Sequence, residues 1–317
     1  ETAGLVDLGH RTQIELRGAD RATFLHNLCT NEVRKLPVGA GCEAFITSVQ
    51  GKTLAHGFIF MDAESIVFDT SPGQADRLLA HLDHYLVSEQ VTLADRSTEW
   101  SELLLSGPTA EKVLEKVSAA RLASARLAHQ HVEIAGRAVW ARRADLAGPQ
   151  GILLSAAVED IESVRATIEA AGALPCGVAA FEAARVEWGF PLFGQDITES
   201  NLPQEVARDP QAVSYVKGCY LGQETVARID ALGHVNQTLV ALRFAPESVP
   251  AAGLELTAET RKVGQVTSAA YSPRLGRWCG LGYVRRGSNV PESTLSSAAG
   301  PVEFVKPPAG QAVAKGL

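Results

Sequence analysis

Short β-type runs and helical runs of apolar residues alternate over the first two thirds of the chain. From Ala22 to Cys29 the apolar residues recur at helical spacing, with Asp20 as a candidate N-cap. Extended runs separated by short polar turns follow between residues 42 and 71, which predicts an antiparallel meander. Because strands and helices alternate without a regular βαβα order, the pattern predicts an α+β fold.

A strong helix-start signal follows the meander. Ser71 is a candidate N-cap, Pro72 suits the first helical position and Gln74 can complete a capping box. The apolar residues that follow line up on one helical face as far as Leu86. The sequence therefore predicts a helix that begins directly after Ser71.

The pattern changes at Val235. Short β-type runs such as VNQTLVALRFA and KVGQVTSAAYS, separated by Gly, Pro and polar turns, replace the helical runs. This is typical of a small antiparallel barrel or sandwich. We therefore predict a domain boundary at 233–236, which divides the chain into residues 1–234 and 235–317.

Composition and charge restrict the classes of partner. The 317-residue chain is 46% hydrophobic and 21% charged, as in ordinary globular proteins, and its net charge is −7. Its basic clusters are short pairs such as Arg142-Arg143 and Arg285-Arg286, so we expect no nucleic-acid partner. The sequence still allows a local basic pocket that binds a small anion. No apolar run approaches the roughly 20 residues of a membrane span, so we expect no membrane partner.

The cysteines and histidines argue against a metal site. The five cysteines are odd in number, widely spaced and without a C-x-x-C pair, so neither a disulfide framework nor a thiolate metal site is expected. The histidine pairs at 81/84 and 129/131 are typical of solvated polar faces. The N-terminal segment lacks the features of a signal peptide, and a reducing cytoplasm is the expected compartment.

One cysteine lies in an unusual setting, the run KGCYLGQETVAR at 217–228. Gly218 and Gly222 allow tight turns around Cys219, and a helix is predicted to begin after Gly222. Lys217 and a following helix N-terminus would both favour the thiolate of Cys219. The alternative is that Cys219 is a small, half-buried residue of a structural turn.

A second segment of interest is FEAARVEWGF. Its pattern is helical and Gly189 ends it, so Glu187 lies in the last turn, where the helix dipole disfavours a carboxylate without a partner. A ligand with adjacent N–H donors, such as a pterin or guanine edge, would pair with Glu187 in bidentate fashion. The alternative is an ion pair with Arg185 or another basic residue.

These segments carry a family resemblance. KGCYLGQETVARIDALGHVNQ resembles the K-G-C-[aromatic]-x-G-Q-E element of the YgfZ-type folate-binding proteins, which take part in iron–sulfur cluster assembly and repair. That family is related to the glycine-cleavage T protein, an aminomethyltransferase. The segments DLGHRTQIELRGADRATFLHNLCTNEV, ARVEWGFPLFGQDITESNLPQE and SPRLGRWCGLGYVRR resemble the same relatives, so the likeness covers nearly the whole chain.

The resemblance implies a fold and a ligand. The implied fold is a three-lobed ring with two intertwined α+β lobes in residues 1–234 and a C-terminal antiparallel β-barrel. Tetrahydrofolate or a derivative is expected in the hole of the ring, with Glu187 gripping the pterin and Cys219 facing the folate or a partner. The matching segments also assign these residues to the folate site: Asn31, Arg185, Lys217, Gly218, Tyr220, Gln223, Glu224 and Arg228.

One position departs from the T protein. Where that protein has an aspartate pair on the strand after the first meander turn, this chain has Ala55-His56. A carboxylate that could orient the attacking amine is therefore missing, and His56 is a different acid–base group. His56 is therefore a second candidate catalytic residue, in addition to Cys219. The difference argues against aminomethyl transfer and leaves folate binding intact.

Three functional hypotheses follow. The first is a tetrahydrofolate-binding accessory protein for iron–sulfur cluster assembly or repair, whose partners are assembly or client proteins. The second is a folate-dependent one-carbon transferase of the T-protein type, which is the class expected if the chain is an enzyme. In the third, Cys219 is a redox switch or a cluster ligand shared with a partner, because one thiolate cannot hold a cluster alone.

Overall fold

A computed structural model describes residues 2–288 and 295–305. In chain order the strands are β1 (Gly4–Gly9), β2 (Thr12–Arg17), β3 (Gly41–Thr47), β4 (Thr53–Met61), β5 (Ser65–Thr70), β6 (Thr92–Asp95), β7 (Trp100–Ser106), β8 (His129–Ile134), β9 (Arg137–Arg143), β10 (Gly151–Ala157), β11 (Leu174–Cys176), β12 (Gln237–Phe244), β13 (Glu255–Ala258), β14 (Arg261–Ser272), β15 (Arg277–Arg285), β16 (Leu295–Ser297) and β17 (Gly300–Val305). The helices are α1 (Arg21–Leu28), α2 (Ala75–His84), α3 (Ala110–Ser118), α4 (Ile161–Ala170), α5 (Val178–Trp188), α6 (Asp209–Ala212) and α7 (Gln223–Leu232), with a 3-10 helix at Pro203–Val206.

The first lobe is a six-stranded sheet in the order β11-β1-β7-β10-β9-β8. Its neighbouring strands are antiparallel except for β1 and β11, which are parallel. Successive residues of β7 face opposite sides, as the period of a strand requires. Leu103 and Leu105 pack with α3 and α4, whereas Leu104 packs against Phe58 and Phe60 of the neighbouring lobe. The sheet therefore lies between its own helices and the second lobe.

The second lobe is a five-stranded antiparallel sheet in the order β3-β4-β5-β2-β6. Helices α1 and α2 cover it through buried side chains that include Phe24, Leu25, Leu78 and Leu82. Because β1 precedes this lobe in the chain and β7 follows it, the first lobe is assembled from two separate segments. The prediction of two intertwined α+β lobes is confirmed.

The third lobe is a closed antiparallel barrel in the order β12-β15-β14-β13-β16-β17. Side chains such as Leu242, Phe244, Val266 and Val284 fill its interior. Of the two predicted alternatives, a barrel and a sandwich, the structure has the barrel. Helix α5 joins the barrel to the rest of the molecule, because its Val186 belongs to a buried cluster with barrel side chains.

The predicted start of α2 and the predicted side-chain caps of α1 and α2 differ from the structure. Helix α2 begins at Ala75 and not directly after Ser71. Gly73 adopts a left-handed conformation (φ 76°), so the backbone cannot be α-helical from Pro72 onwards. The Gln74 side chain accepts a hydrogen bond from Arg77 and closes no capping box. Asp20 does occupy the N-cap position of α1, but its carboxylate accepts from the backbone N–H of Gln90.

Glycines at the two ends of α7 provide a matched test of the packing around the KGCYLGQETVAR run. Gly222 and Gly233 both have left-handed backbones, with φ of 81° and 73°. A Cβ at Gly222 would lie 2.3 Å from the carbonyl oxygen of Ser48, whereas one at Gly233 would have no neighbour within 4 Å. Helix α7 therefore begins in close contact with the turn after β3.

We expect Gly222→Ala to destabilise the protein about 2 kcal/mol more than Gly233→Ala in urea unfolding. Both variants bear the backbone strain of an alanine in this region, about 1–2 kcal/mol, and the first also bears the clash. Equal losses in the two variants would contradict this contact.

Candidate functional site

A cavity of about 380 Å³ opens where the two α+β lobes meet α5 and the loop after it. We call it the central cleft. Its apolar walls include Leu8, Phe181, Leu192 and Phe193, and the side chains of Glu182 and Gln195 are among its polar groups. Small-molecule sites generally have such apolar walls and a few polar groups, in volumes of about 300–1,000 Å³. The cleft can therefore accept a flat, largely apolar ring with a polar edge.

The floor of the cleft includes Arg11, in the link between β1 and β2. Its guanidinium is buried and pairs with Asp69 at 2.6 Å and Glu102 at 3.2 Å. Arg142 joins this buried network through Glu102 at 3.1 Å. Burial and the neighbouring Asp69 carboxylate raise the pKa of Glu102 to about 8. Since Asp69 belongs to the second lobe and Glu102 to the first, the network joins the two lobes beneath the cleft.

Arg185 holds one edge of the cleft without lining it. Its fully buried guanidinium donates to Glu182 at 2.8 and 2.6 Å and to Asp196 at 2.9 Å. It also donates to the carbonyl of Phe190 and to the hydroxyl of Ser268 on the barrel. We therefore assign Arg185 the role of a positioning residue that orients the Glu182 carboxylate.

Glu187 lies on a different side of α5. Its carboxylate accepts from the hydroxyl of Ser272 and pairs with Arg274, both in the barrel lobe. Five residues separate Glu187 from Glu182, a rotation of roughly 140° around the helix. Glu187 therefore has the ion pair that the sequence left as an alternative, with Arg274 instead of Arg185. Its role as the pterin carboxylate stays a prediction.

Lys217 anchors the KGCYLGQETVAR run to the C-terminal end of α1. Its buried ammonium donates to the backbone carbonyls of His26, Cys29 and Asn31 at 2.6, 2.7 and 2.9 Å. A cation at this position interacts favourably with the helix dipole. Burial lowers the pKa of Lys217. The lysine therefore fixes the start of the run.

Cys219 is exposed and free, on the surface side of this anchor. The adjacent Gly218 is also exposed, whereas Tyr220 is buried in a cluster with Phe45 and Val226. Cys219 is therefore neither half-buried nor enclosed in a closed metal site.

The rest of the run forms the first turns of α7. The helix begins at Gln223, as predicted, and the Gln223 side chain accepts from the backbone N–H of Tyr220. Glu224 and Arg228 are exposed on the helix. None of residues 217–228 is among the described side chains that line the central cleft. The structure thus places these predicted folate ligands together, but away from the cleft.

Asn31 has an internal structural role. Its amide nitrogen donates to the carbonyls of Glu43 and Gln211 at 2.8 and 2.9 Å, and its side-chain oxygen accepts from the N–H of Glu32. The side chain ties the end of α1 to β3 and α6. Asn31 is not among the described residues that line the central cleft.

His56 belongs to a buried ionic network. Its Nε2 lies 2.6 Å from Glu43, and its ring lies between Phe45 and Phe190, with ring centroids 4.8 and 5.7 Å away. Burial alone would raise the pKa of Glu43, but Arg208 and Arg126 outweigh it and hold that pKa well below the usual value. His56 is thus held by its neighbours and does not line the cleft.

Sequence reasoning missed Glu182 and Gln195. Glu182 stands three residues before Arg185, a spacing that places the two side chains on the same helical face and was a usable signal. Gln195 had no local signal, because its position depends on Ser268, 73 residues further along the chain, to which it donates at 3.0 Å.

Within 2–288 and 295–305, no group of three or more His, Cys, Asp or Glu side chains is arranged to hold a metal ion. In the same ranges, no helix has the length and apolar character needed to cross a bilayer.

Comparison with known proteins gives consistent matches over almost the whole chain. The GCVT N-terminal domain matches residues 1–209, and the glycine cleavage T-protein C-terminal barrel domain matches residues 237–308. An aminomethyltransferase of Geobacillus kaustophilus is 30% identical over 290 residues, which covers 89% of this chain and 79% of the relative.

A chloroplastic protein of Arabidopsis thaliana, described as a candidate transferase, is 29% identical over 286 residues, and the match spans 65% of its length. The crystal structure of the glycine cleavage system aminomethyltransferase T from Bartonella henselae superposes with a TM-score of 0.84 at 20% identity. It covers 96% of this chain and 85% of that one, which confirms the three-lobed fold.

Proposed function

Since the chain belongs to the glycine-cleavage T-protein family, we propose that it binds a reduced folate, tetrahydrofolate or a derivative, in the central cleft. The observation that carries this proposal is the Glu182 carboxylate, held by Arg185 beside apolar walls that include Phe181 and Phe193. A carboxylate accepts paired N–H donors in bidentate fashion, and a pterin presents such an edge on a flat ring. Glu182 then takes the role that the resemblance assigns to Glu187.

Titration calorimetry with tetrahydrofolate tests the site. We expect the wild type to bind and Glu182→Gln to weaken binding about tenfold or more, because charge-assisted hydrogen bonds contribute roughly 1.5–3 kcal/mol. Glu187→Gln is the matched control on the same helix and is expected to bind within about twofold of wild type.

Two outcomes would decide against this assignment. Absence of binding to the wild type would remove the folate proposal altogether. Weak binding by Glu187→Gln, with normal binding by Glu182→Gln, would move the pterin to the barrel side of α5.

For the role of the bound folate, we propose an accessory function in iron–sulfur cluster assembly or repair, as in the YgfZ-type proteins. Two features support it. His56 stands where the T protein has an aspartate, and the carboxylate next to it, Glu43, is already paired with Arg208 and Arg126. Cys219 is exposed in the run that resembles the YgfZ element, where a client or assembly protein can reach it. All five cysteines are free, which favours a reducing compartment such as the cytoplasm.

The second candidate is a folate-dependent one-carbon transferase. The names of the aminomethyltransferase relatives favour it, with 30% identity in the Geobacillus kaustophilus protein. The chemistry would then need an acid–base group other than the aspartate that this chain lacks.

Two assays separate the candidates. With an aminomethyl donor and tetrahydrofolate, we expect no methylene-tetrahydrofolate above the protein-free rate. In a strain without the protein, we expect cluster-enzyme activity to be restored by the wild-type gene and not by Cys219→Ser. Turnover in the first assay together with full rescue by Cys219→Ser would establish the transferase and reject the accessory role.

A further inference from the structure

The start of the KGCYLGQETVAR run lies against the end of α1 and the loop after it. Lys217 holds the two segments together, because its ammonium donates to three backbone carbonyls at the end of α1 and just beyond it. The next two residues of the run, Gly218 and Cys219, are both exposed. The free thiol is therefore fixed at the surface beside this loop.

Arg34 brings a positive charge close to the thiol. A Cβ on Gly218, the residue before Cys219, would lie 3.6 Å from a guanidinium nitrogen of Arg34. Arg34 is exposed and has no ion-pair partner within residues 2–288 and 295–305. The acid of the same loop, Glu32, lies instead against His26. The guanidinium is therefore available to bind an anion beside the thiol.

His26 directs a hydrogen-bonding atom to the same place. The residue is 1% exposed, and its Nδ1 faces the N–H of Val33 at 3.4 Å and the Glu32 carboxylate at 3.0 Å. Its Nε2 is buried, has no hydrogen-bond partner in the part of the chain that the structure describes, and would lie 4.0 Å from a Cβ on Gly218. Burial and the charge of Lys217 lower the pKa of His26, so the ring is neutral at pH 7. An unpaired buried polar atom is costly, and a ligand here would supply its partner.

These three groups together select one class of ligand. An exposed thiol exchanges with disulfides, and a guanidinium is suited to a carboxylate. The free Nε2 can pair with a carboxylate or with an amide, whichever ring nitrogen carries the hydrogen. A small peptide thiol with carboxylates, such as glutathione, has all the matching groups.

We propose that Cys219 forms a mixed disulfide with a small anionic peptide thiol of the glutathione class, whose carboxylate binds Arg34 and whose polar groups meet Nε2 of His26. The Cys219 thiol releases its proton to water, and the thiolate attacks one sulfur of the oxidised dimer of that thiol, which is the oxidant. One sulfur–sulfur bond forms as the other breaks. The Cys219 sulfur is oxidised, and the leaving sulfur is reduced to a thiolate that takes up a proton.

Excess free thiol reverses this exchange, so the adduct is a reversible cap on Cys219. The step requires neither folate nor an iron–sulfur cluster. It can therefore succeed or fail independently of the proposed function.

The neighbours Arg34 and Lys35 supply a matched control. Both are exposed and each carries one positive charge. Arg34 comes within 4 Å of a Cβ on Gly218, whereas Lys35 does not. Replacing either residue by glutamine removes the same charge from adjacent positions.

The test measures the rate at which the protein takes up oxidised glutathione, relative to the neutral hydroxyethyl disulfide, by intact-mass spectrometry. An unfolded peptide of residues 214–224 is the reference. We expect the wild-type ratio to exceed that of the peptide about three- to fivefold at low salt and to approach it at high salt. Cys219→Ser should take up neither reagent on the same timescale.

The variants locate the source of this preference. Arg34→Gln should lose most of it and keep the wild-type rate with hydroxyethyl disulfide, whereas Lys35→Gln should stay within about 1.5-fold of the wild-type ratio. His26→Leu should also lower the ratio, and circular dichroism checks that each variant is folded. If His26→Leu does not fold, the Arg34 and Lys35 variants decide.

Each contrary result has a distinct meaning. A wild-type ratio equal to that of the peptide would overturn the site. An equal loss in Arg34→Gln and Lys35→Gln would show a general charge effect and overturn the assignment to Arg34. Uptake by Cys219→Ser at the wild-type rate would place the reaction on another cysteine and overturn the proposal.

Discussion

The central constraint on this molecule is the buried guanidinium of Arg185. A charge that is fully removed from water must be compensated, and Arg185 finds its partners in three parts of the chain. Glu182 lies on its own helix, Asp196 and the Phe190 carbonyl lie in the loop after it, and Ser268 lies on the barrel. The edge of the cleft and the position of the barrel are therefore set together. The loop after α5, which lines the cleft, is held by the same residue.

Local pattern predicted most of the fold, and tertiary contacts explain the failures. Helix α5 ends at Gly189 as predicted, because a left-handed glycine is a local signal. The start of α2 was predicted wrongly, because Gly73 is left-handed and Thr12, 62 residues away, accepts from the N–H of Gln74 in the turn before the helix. Lys217 has acceptors 186–191 residues away, and no local pattern contains such information.

The candidate site shows the same division. The residues of the KGCYLGQETVAR run could be selected from the sequence, but not the fact that they lie away from the cleft. Glu182 and Glu187 are both carboxylates on one predicted helix, and the sequence alone cannot rank them. Which side of α5 faces the cleft depends on where the barrel packs. The resemblance supplied the expected ligand class, whereas our proposal of Glu182 rests on its contacts with Arg185.

The most direct measurement of the central claim is a crystal structure of the protein with bound tetrahydrofolate. We expect the pterin ring between Phe181 and Phe193, with its N–H edge on Glu182. A pterin bound to Glu187 with Arg274 displaced, or a ring stacked on His56, would contradict it.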